Sequence, residues 1–233
     1  MNLPEPSNYT DGVQYFRDSH KVVLHFCAEL ELLLTDAKTS GVFASFAAKP
    51  EWNSVFEFFL KEAPLHERDE EKFLFPMIAA KVPRVGFQQP GATIRFLIEG
   101  HEVLQKAMIK LVRDWDEFRK KQRDPSDVVE SHAAHEIEDA EFIADGTELA
   151  RLYREHAATE ETQVYSVGDK VLTGRDKLQI ADALRAVYDN QAMTPMPQFG
   201  EAHFTNANYT IQYSAATPPA EESAANSDFA GSD

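Results

Sequence analysis

The chain has 233 residues, 43% of them hydrophobic and 16 of them Phe, enough for one sizeable core plus an appendage without disulfide support. A formal net charge of −16 argues against nucleic acid and against anionic membrane surfaces as partners, because phosphate binding needs clustered Lys and Arg. No apolar run approaches the roughly 20 residues that cross a bilayer, and a lone Cys27 with no opening secretory or transit segment points to a reducing cytosol.

Residues 1–10 carry two prolines and turn formers and read as an extended lead-in. From Asp11 to about Ala37, Val13, Phe16, Val23, Phe26, Leu30 and Leu33 recur at helical intervals. Residues 43–50 connect to a second helical stretch, Glu51 to Lys81, where Pro64 predicts a break or kink ahead of a helix over Leu65 to Lys81. Pro83, Gly86, Pro90 and Gly91 mark the next loop, and a third helix runs from about Thr93 to Gln122. Asp124-Pro125-Ser126-Asp127 stops it and caps a fourth, Val128 to about Val167, with Asp145-Gly146 as a break point. Gly168 and Gly174 bracket a connection to a shorter amphipathic helix, Arg175 to Asn190. Residues 191–233 hold few large aliphatics and read as a low-order acidic and polar tail, above all from Ala215. With few β-branched runs before the tail, the expected class is all-α and the simplest architecture a helical bundle.

One short pattern occurs twice: His66 to Glu70-Glu71 and His156 to Glu160-Glu161, both His-x-x-x-Glu-Glu. Residues four apart on a helix share a face, about 40° apart around the axis, so each copy pairs an imidazole with a carboxylate as half of a transition-metal site. A single pair arises cheaply in a charged chain; the repetition carries the signal. Each copy also has an earlier histidine, His20 and His101, followed by an apolar residue at +3 and a Leu at +10. The halves thus share order and local pattern, as a duplicated helical hairpin would. Folded as four antiparallel helices, they can bring four imidazoles and two carboxylates together around two divalent ions. Two bridging carboxylates and an oxide or hydroxide bridge offset the buried positive charge. Mixed nitrogen and oxygen donors favour Fe, with Mn or Zn as the other candidates, and leave positions for a small diatomic or peroxide ligand.

The series His20, His66-x-x-x-Glu70-Glu71-x-x-Leu74-Phe75-Pro76, His101 and His156-x-x-x-Glu160-Glu161 resembles the hemerythrin-like, or HHE cation-binding, domain over roughly residues 11–190. The resemblance implies an up-down antiparallel four-helix bundle around a non-heme di-iron centre, here with an additional short C-terminal helix and a tail. It implies terminal ligands His20, His66, His101 and His156, bridging Glu70 and Glu160, and binding of or reaction with O₂, peroxide or NO. The chain departs from O₂-carrying members at Gln105, where they place a further histidine. It departs again at Val164-Tyr165-Ser166, which stands where the first half has Leu-Phe-Pro. Oxygen or redox sensing, peroxide removal and iron handling fit that departure better than simple O₂ carriage. The rival expectation is a helical interaction module, metal-free or metallated only for structure.

Other side chains have simpler readings. His25 lies about 140° from His20 on one helix, so the two cannot serve one site. Glu71 and Glu161 sit about 100° from their neighbours and suit support of a ligand or the helix surface. Glu67 adjoins His66 and is a lesser candidate for the metal, while Gln105 suits the rim of the core. His132 and His135 match neither metalloprotease pattern. An unbroken helix would also carry His135 about 30 Å from His156. Cys27 reads as a core residue.

Overall fold

The computed structural model describes residues 1–40, 50–82, 90–123 and 132–193. Among these the protein is all-helical, with five rods: α1 (Gly12–Ser40), α2 (50–81), α3 (Pro90–Arg123), α4 (132–171) and α5 (Gly174–Met193). None is long and apolar enough to cross a membrane. The tail beyond 193 lies outside the described residues, as do residues 124–127 and all of the predicted 43–50 connection except Pro50, which opens α2.

α1 packs along α4, α4 also along α3, α2 contacts α1 and α3, and α5 lies on α1. Their buried faces form two apolar clusters. One gathers Leu30, Trp52, Phe59, Leu111, Trp115 and Leu149; the other gathers Phe16, Leu74, Ile78, Leu97, Tyr165 and Leu184. Each of α1 to α4 passes through both, and between its two apolar stretches each carries buried His or Glu. α1 and α3 run from the second cluster to the first, and α2 and α4 run the other way. The polar residues therefore meet between two hydrocarbon walls.

At Pro64, the expected site of a break or kink, the rod has no break but does have an irregular turn. This π-helical turn, Phe58–Glu62, precedes Pro64, with Ala63 N–H bonded to Phe58 O, and the wider turn accommodates the proline within a continuous rod. The break expected at Asp145-Gly146 is also absent: a Cβ at Gly146 would stand 2.8 Å from Leu34 Cδ1, so this glycine admits close helix contact rather than a turn. Gly168 likewise stays helical, buried beside Ile78, and the helix runs on to Val171. The true connection is Leu172-Thr173, closed by a capping box in which Thr173 N–H donates to Asp176 Oδ2 and Asp176 N–H to Thr173 Oγ1. Lys81 Nζ, 2.8 Å from Asp176 Oδ1, ties the end of α2 to the start of α5. The lead-in includes a 3₁₀ turn at Pro6–Asn8, and Leu3 N–H donates to Glu62 Oε2 on α2.

Two further π-turns, Glu70–Leu74 and Glu160–Tyr165, each begin at the glutamate of a repeated His-Glu pair. Phe75 N–H bonds Glu70 O, and Ser166 N–H bonds Glu161 O, each across five residues. Pro76 follows the first, but Ser166 holds the matching place in the second. A missing proline N–H is therefore not their common cause. Such turns favour functional sites, and these two coincide with the doubled sequence pattern.

Candidate metal centre

α1 contributes His20, α2 His66 and Glu70, α3 His101, and α4 His156 and Glu160. Helical spacing sets His66 Nε2 3.6 Å from Glu70 Oε1 and His156 Nε2 3.0 Å from Glu160 Oε1. Across the rods, His20 Nε2 lies 3.0 Å from Glu160 Oε2 and 3.7 Å from Glu70 Oε1. His101 Nε2 lies 3.4 Å from Glu160 Oε1 and 3.6 Å from Glu70 Oε2. Each carboxylate thus turns one oxygen toward the His20/His66 pair and the other toward the His101/His156 pair.

These separations suit metal ions. Two donors at right angles on one ion, each about 2.1 Å from it, stand about 3 Å apart. His20, His66, Glu70 and Glu160 present donor atoms all within 4.8 Å of one another, and so do His101, His156 and Glu160. Both ring nitrogens of His66, Nε2 of His101 and of His156, Glu70 Oε2 and Glu160 Oε1 are buried without a hydrogen bond. Buried polar atoms are normally satisfied. Several of them converging on one interior point fit a cation better than a self-contained polar core.

The remaining acids of the two motifs brace the histidines, each from the opposite half of the chain. Glu71 Oε1 lies 2.7 Å from His101 Nδ1, and Glu161 Oε1 lies 3.1 Å from His20 Nδ1. A carboxylate on Nδ1 holds the ring and leaves Nε2 facing inward. Arg17 fixes Glu161 in turn through Nε at 3.2 Å and continues to Asp169. Aromatic rings lie over the same two histidines: Phe75 stacks on His101 with centroids 6.1 Å apart, and Tyr165 on His20 at 5.0 Å. The Tyr165 hydroxyl also donates to Glu70 Oε1 and lies 3.2 Å from His20 Nε2.

On another side a small cavity opens between the ligand candidates and Val23, Leu104, Tyr153 and Ala157. Glu67 reaches this cavity, where Tyr153 donates to its Oε1 at 3.1 Å. Burial pushes the Glu67 carboxyl up to about 7.

Electrostatics divide the two inner glutamates. Burial, followed by the charge on Glu160, holds Glu70 well above the carboxylate range. Burial acts on Glu160 in the same direction, but the three imidazoles close to its oxygens, His101, His156 and His20, outweigh it and hold Glu160 well below that range. Burial alone would lower His20 and His101; the carboxylates on both nitrogens reverse this and raise each to about 10. His66, with no such brace, is pushed well below its usual value by burial and then by the charge on His20.

All six side chains expected at the site meet there. His25 is exposed and edges against Phe26, away from the cluster. Gln105 is half-buried one turn beyond His101, and Cys27 is buried in the first apolar cluster. The helix from His132 is continuous to Thr159, which carries His135 about 30 Å along the axis from His156; the side chains of both His132 and His135 lie outside the described residues. The sequence reading missed Gly100, Tyr153 and the contacts of Tyr165. A glycine beside His101 in mid-helix was the available signal for the first.

Helical rods that converge imidazoles and shared carboxylates on a buried point define a helical metal-binding protein. The family model described as the hemerythrin HHE cation binding domain matches residues 11–167, and the chain belongs to that family. The match ends before α5, so it is shorter than the span read from the motifs. A search of curated proteins gave no match, and a search of solved structures gave none.

Proposed function

We propose that this protein is a non-heme di-iron protein that binds or reacts with O₂, peroxide or NO, built on an up-down four-helix bundle (α1 to α4) with α5 appended. His20, His66, His101 and His156 are the terminal ligands, and Glu70 and Glu160 bridge. The observation that carries this reading is the split orientation of both carboxylates, one oxygen toward each histidine pair. The donor set is nitrogen and oxygen throughout, which favours iron over metals that seek thiolate, with Mn and Zn behind it. Bound there, two irons supply redox chemistry and open positions for a small ligand.

The chain's own groups shape the space beside the metal positions. Val23, Leu104 and Ala157 keep the adjoining cavity apolar and small, suited to a diatomic or a peroxide. Glu67 accepts the Tyr153 hydroxyl at Oε1 and, pushed up to about 7, can take up or release a proton beside that cavity near neutral pH. Oxygen or redox sensing, peroxide removal and iron handling all draw on such a site. We place it in the cytosol, where the single free thiol, Cys27, stays reduced and buried.

Protein produced with iron and purified anaerobically should hold about two Fe per chain and, once oxidised with air or ferricyanide, show near-ultraviolet bands that shift on adding peroxide or azide. Glu70→Ala and Glu160→Ala should each lose most of the metal, and His132→Ala and His135→Ala should keep it. A colourless, iron-free protein would return the case to a helical interaction module.

A further inference from the structure

Resting on that di-iron reading, we propose that Tyr165 is a seventh protein ligand, joining the ion held by His20 and His66 through its phenolic oxygen. The two metal positions are then chemically unlike. Tyr165 Oη lies 3.2 Å from His20 Nε2 and touches Glu70 Oε1, and both of these atoms belong to the same half of the site. The first separation matches donors at right angles on one ion, about 3 Å.

Helical geometry explains how the phenol arrives there. In a regular α-helix Tyr165 would sit about 140° around the axis from Glu160, off the site. The π-turn Glu160–Tyr165 inserts an extra residue into that turn and brings positions five apart into line. The same device on α2 aligns Phe75 with Glu70. Phe75 and Tyr165 are therefore counterparts, each stacked on the other half's first histidine. Phe75 offers no oxygen to the His101/His156 position. That position keeps one more coordination site for an external ligand, and the His20/His66 position has one fewer.

Coordination exchanges the phenol proton for a ferric ion; the proton leaves to a solvent base and no electrons move. Full-length protein loaded anaerobically with ferrous iron and oxidised with ferricyanide should show a visible phenolate-to-ferric absorption. Resonance Raman excited in that band should show ring modes that shift when the protein carries ring-deuterated tyrosine. Tyr165→Phe should keep both irons and lose band and modes together, while Tyr153→Phe keeps them. Two bound ferric ions without the band, or a band that survives in Tyr165→Phe, overturn the assignment and leave the di-iron reading standing. If wild type and variant bind no iron, both fall together. Should Tyr165→Phe fail to fold, the isotope shift in wild type and in Tyr153→Phe still decides.

Discussion

His156 rests directly on the backbone of Gly100: a Cβ added to Gly100 would stand 2.9 Å from Nδ1 and 3.0 Å from Cε1 of the imidazole. A glycine inside a helix costs about 1 kcal/mol against alanine, so its place beside His101 needs a reason, and the seating of His156 provides one. Gly100→Ala should displace that ring and weaken the ion at the His101/His156 position by tenfold or more, leaving the other position closer to native. Gly91→Ala, where nothing lies within 4 Å, should leave both unchanged. Metal content after dialysis against a weak chelator measures both; equal retention in the two variants would contradict the seating role.

The crossed braces give a second expectation. Glu71 belongs to the first motif and holds His101 of the second half, and Glu161 belongs to the second and holds His20 of the first. Removing such a partner typically lowers metal affinity 10–100-fold. Glu71→Ala should therefore weaken the His101/His156 position and Glu161→Ala the His20/His66 position, with Gln in either place restoring part of the loss. Competition titrations with a chromophoric chelator would show it. Loss at the wrong position in both variants would refute the crossing.

Much of this centre was readable from residue order, because its chemistry follows helical periodicity. The i, i+4 pairs and their upstream histidines lie where an α-helix places them, and the six side chains meet. What escaped depends on departures from that periodicity. Tyr165 enters through a π-turn, which no spacing rule for a 3.6-residue helix foresees. Pro64 suggested a break or kink and Gly146 a break because local propensity favours them, yet a widened turn at the first and close packing on Leu34 at the second keep both rods continuous. The crossing of Glu71 to His101 depends on which helices lie side by side, and their order in the chain leaves that open.

Metal binding should be steeply pH-dependent. His20 and His101, each raised to about 10, carry protons at neutral pH in the metal-free protein, and burial shifts Glu70 toward its protonated form as well. The histidine charges stabilise that state below the unfolded value near 6.5, and their contribution fades as pH rises through about 10. Ligation needs the deprotonated forms, so an entering ion expels those protons. Affinity should climb at least tenfold per pH unit between 6 and 8. Titrations at the two ends, with proton release followed in weak buffer, test this; a flat affinity would mean that the donors are already deprotonated.

Glu70 and Glu160 occupy matching places in the two halves but carry different charge before metal arrives. Burial pushes Glu70 toward the neutral acid, whereas Glu160 is held as an anion facing three histidines. Glutamine keeps the shape of the neutral acid and an acceptor oxygen for the Tyr165 hydroxyl, so Glu70→Gln should destabilise the metal-free protein clearly less than Glu160→Gln does. Glu160→Gln strips a buried anion from imidazolium partners, a loss of about 3–5 kcal/mol when one member of a buried pair is removed. Both variants should forfeit the stabilisation that added metal gives wild type. Urea unfolding with and without metal separates the two effects. Equal destabilisation of the metal-free variants would show that the two carboxyls share the charge evenly.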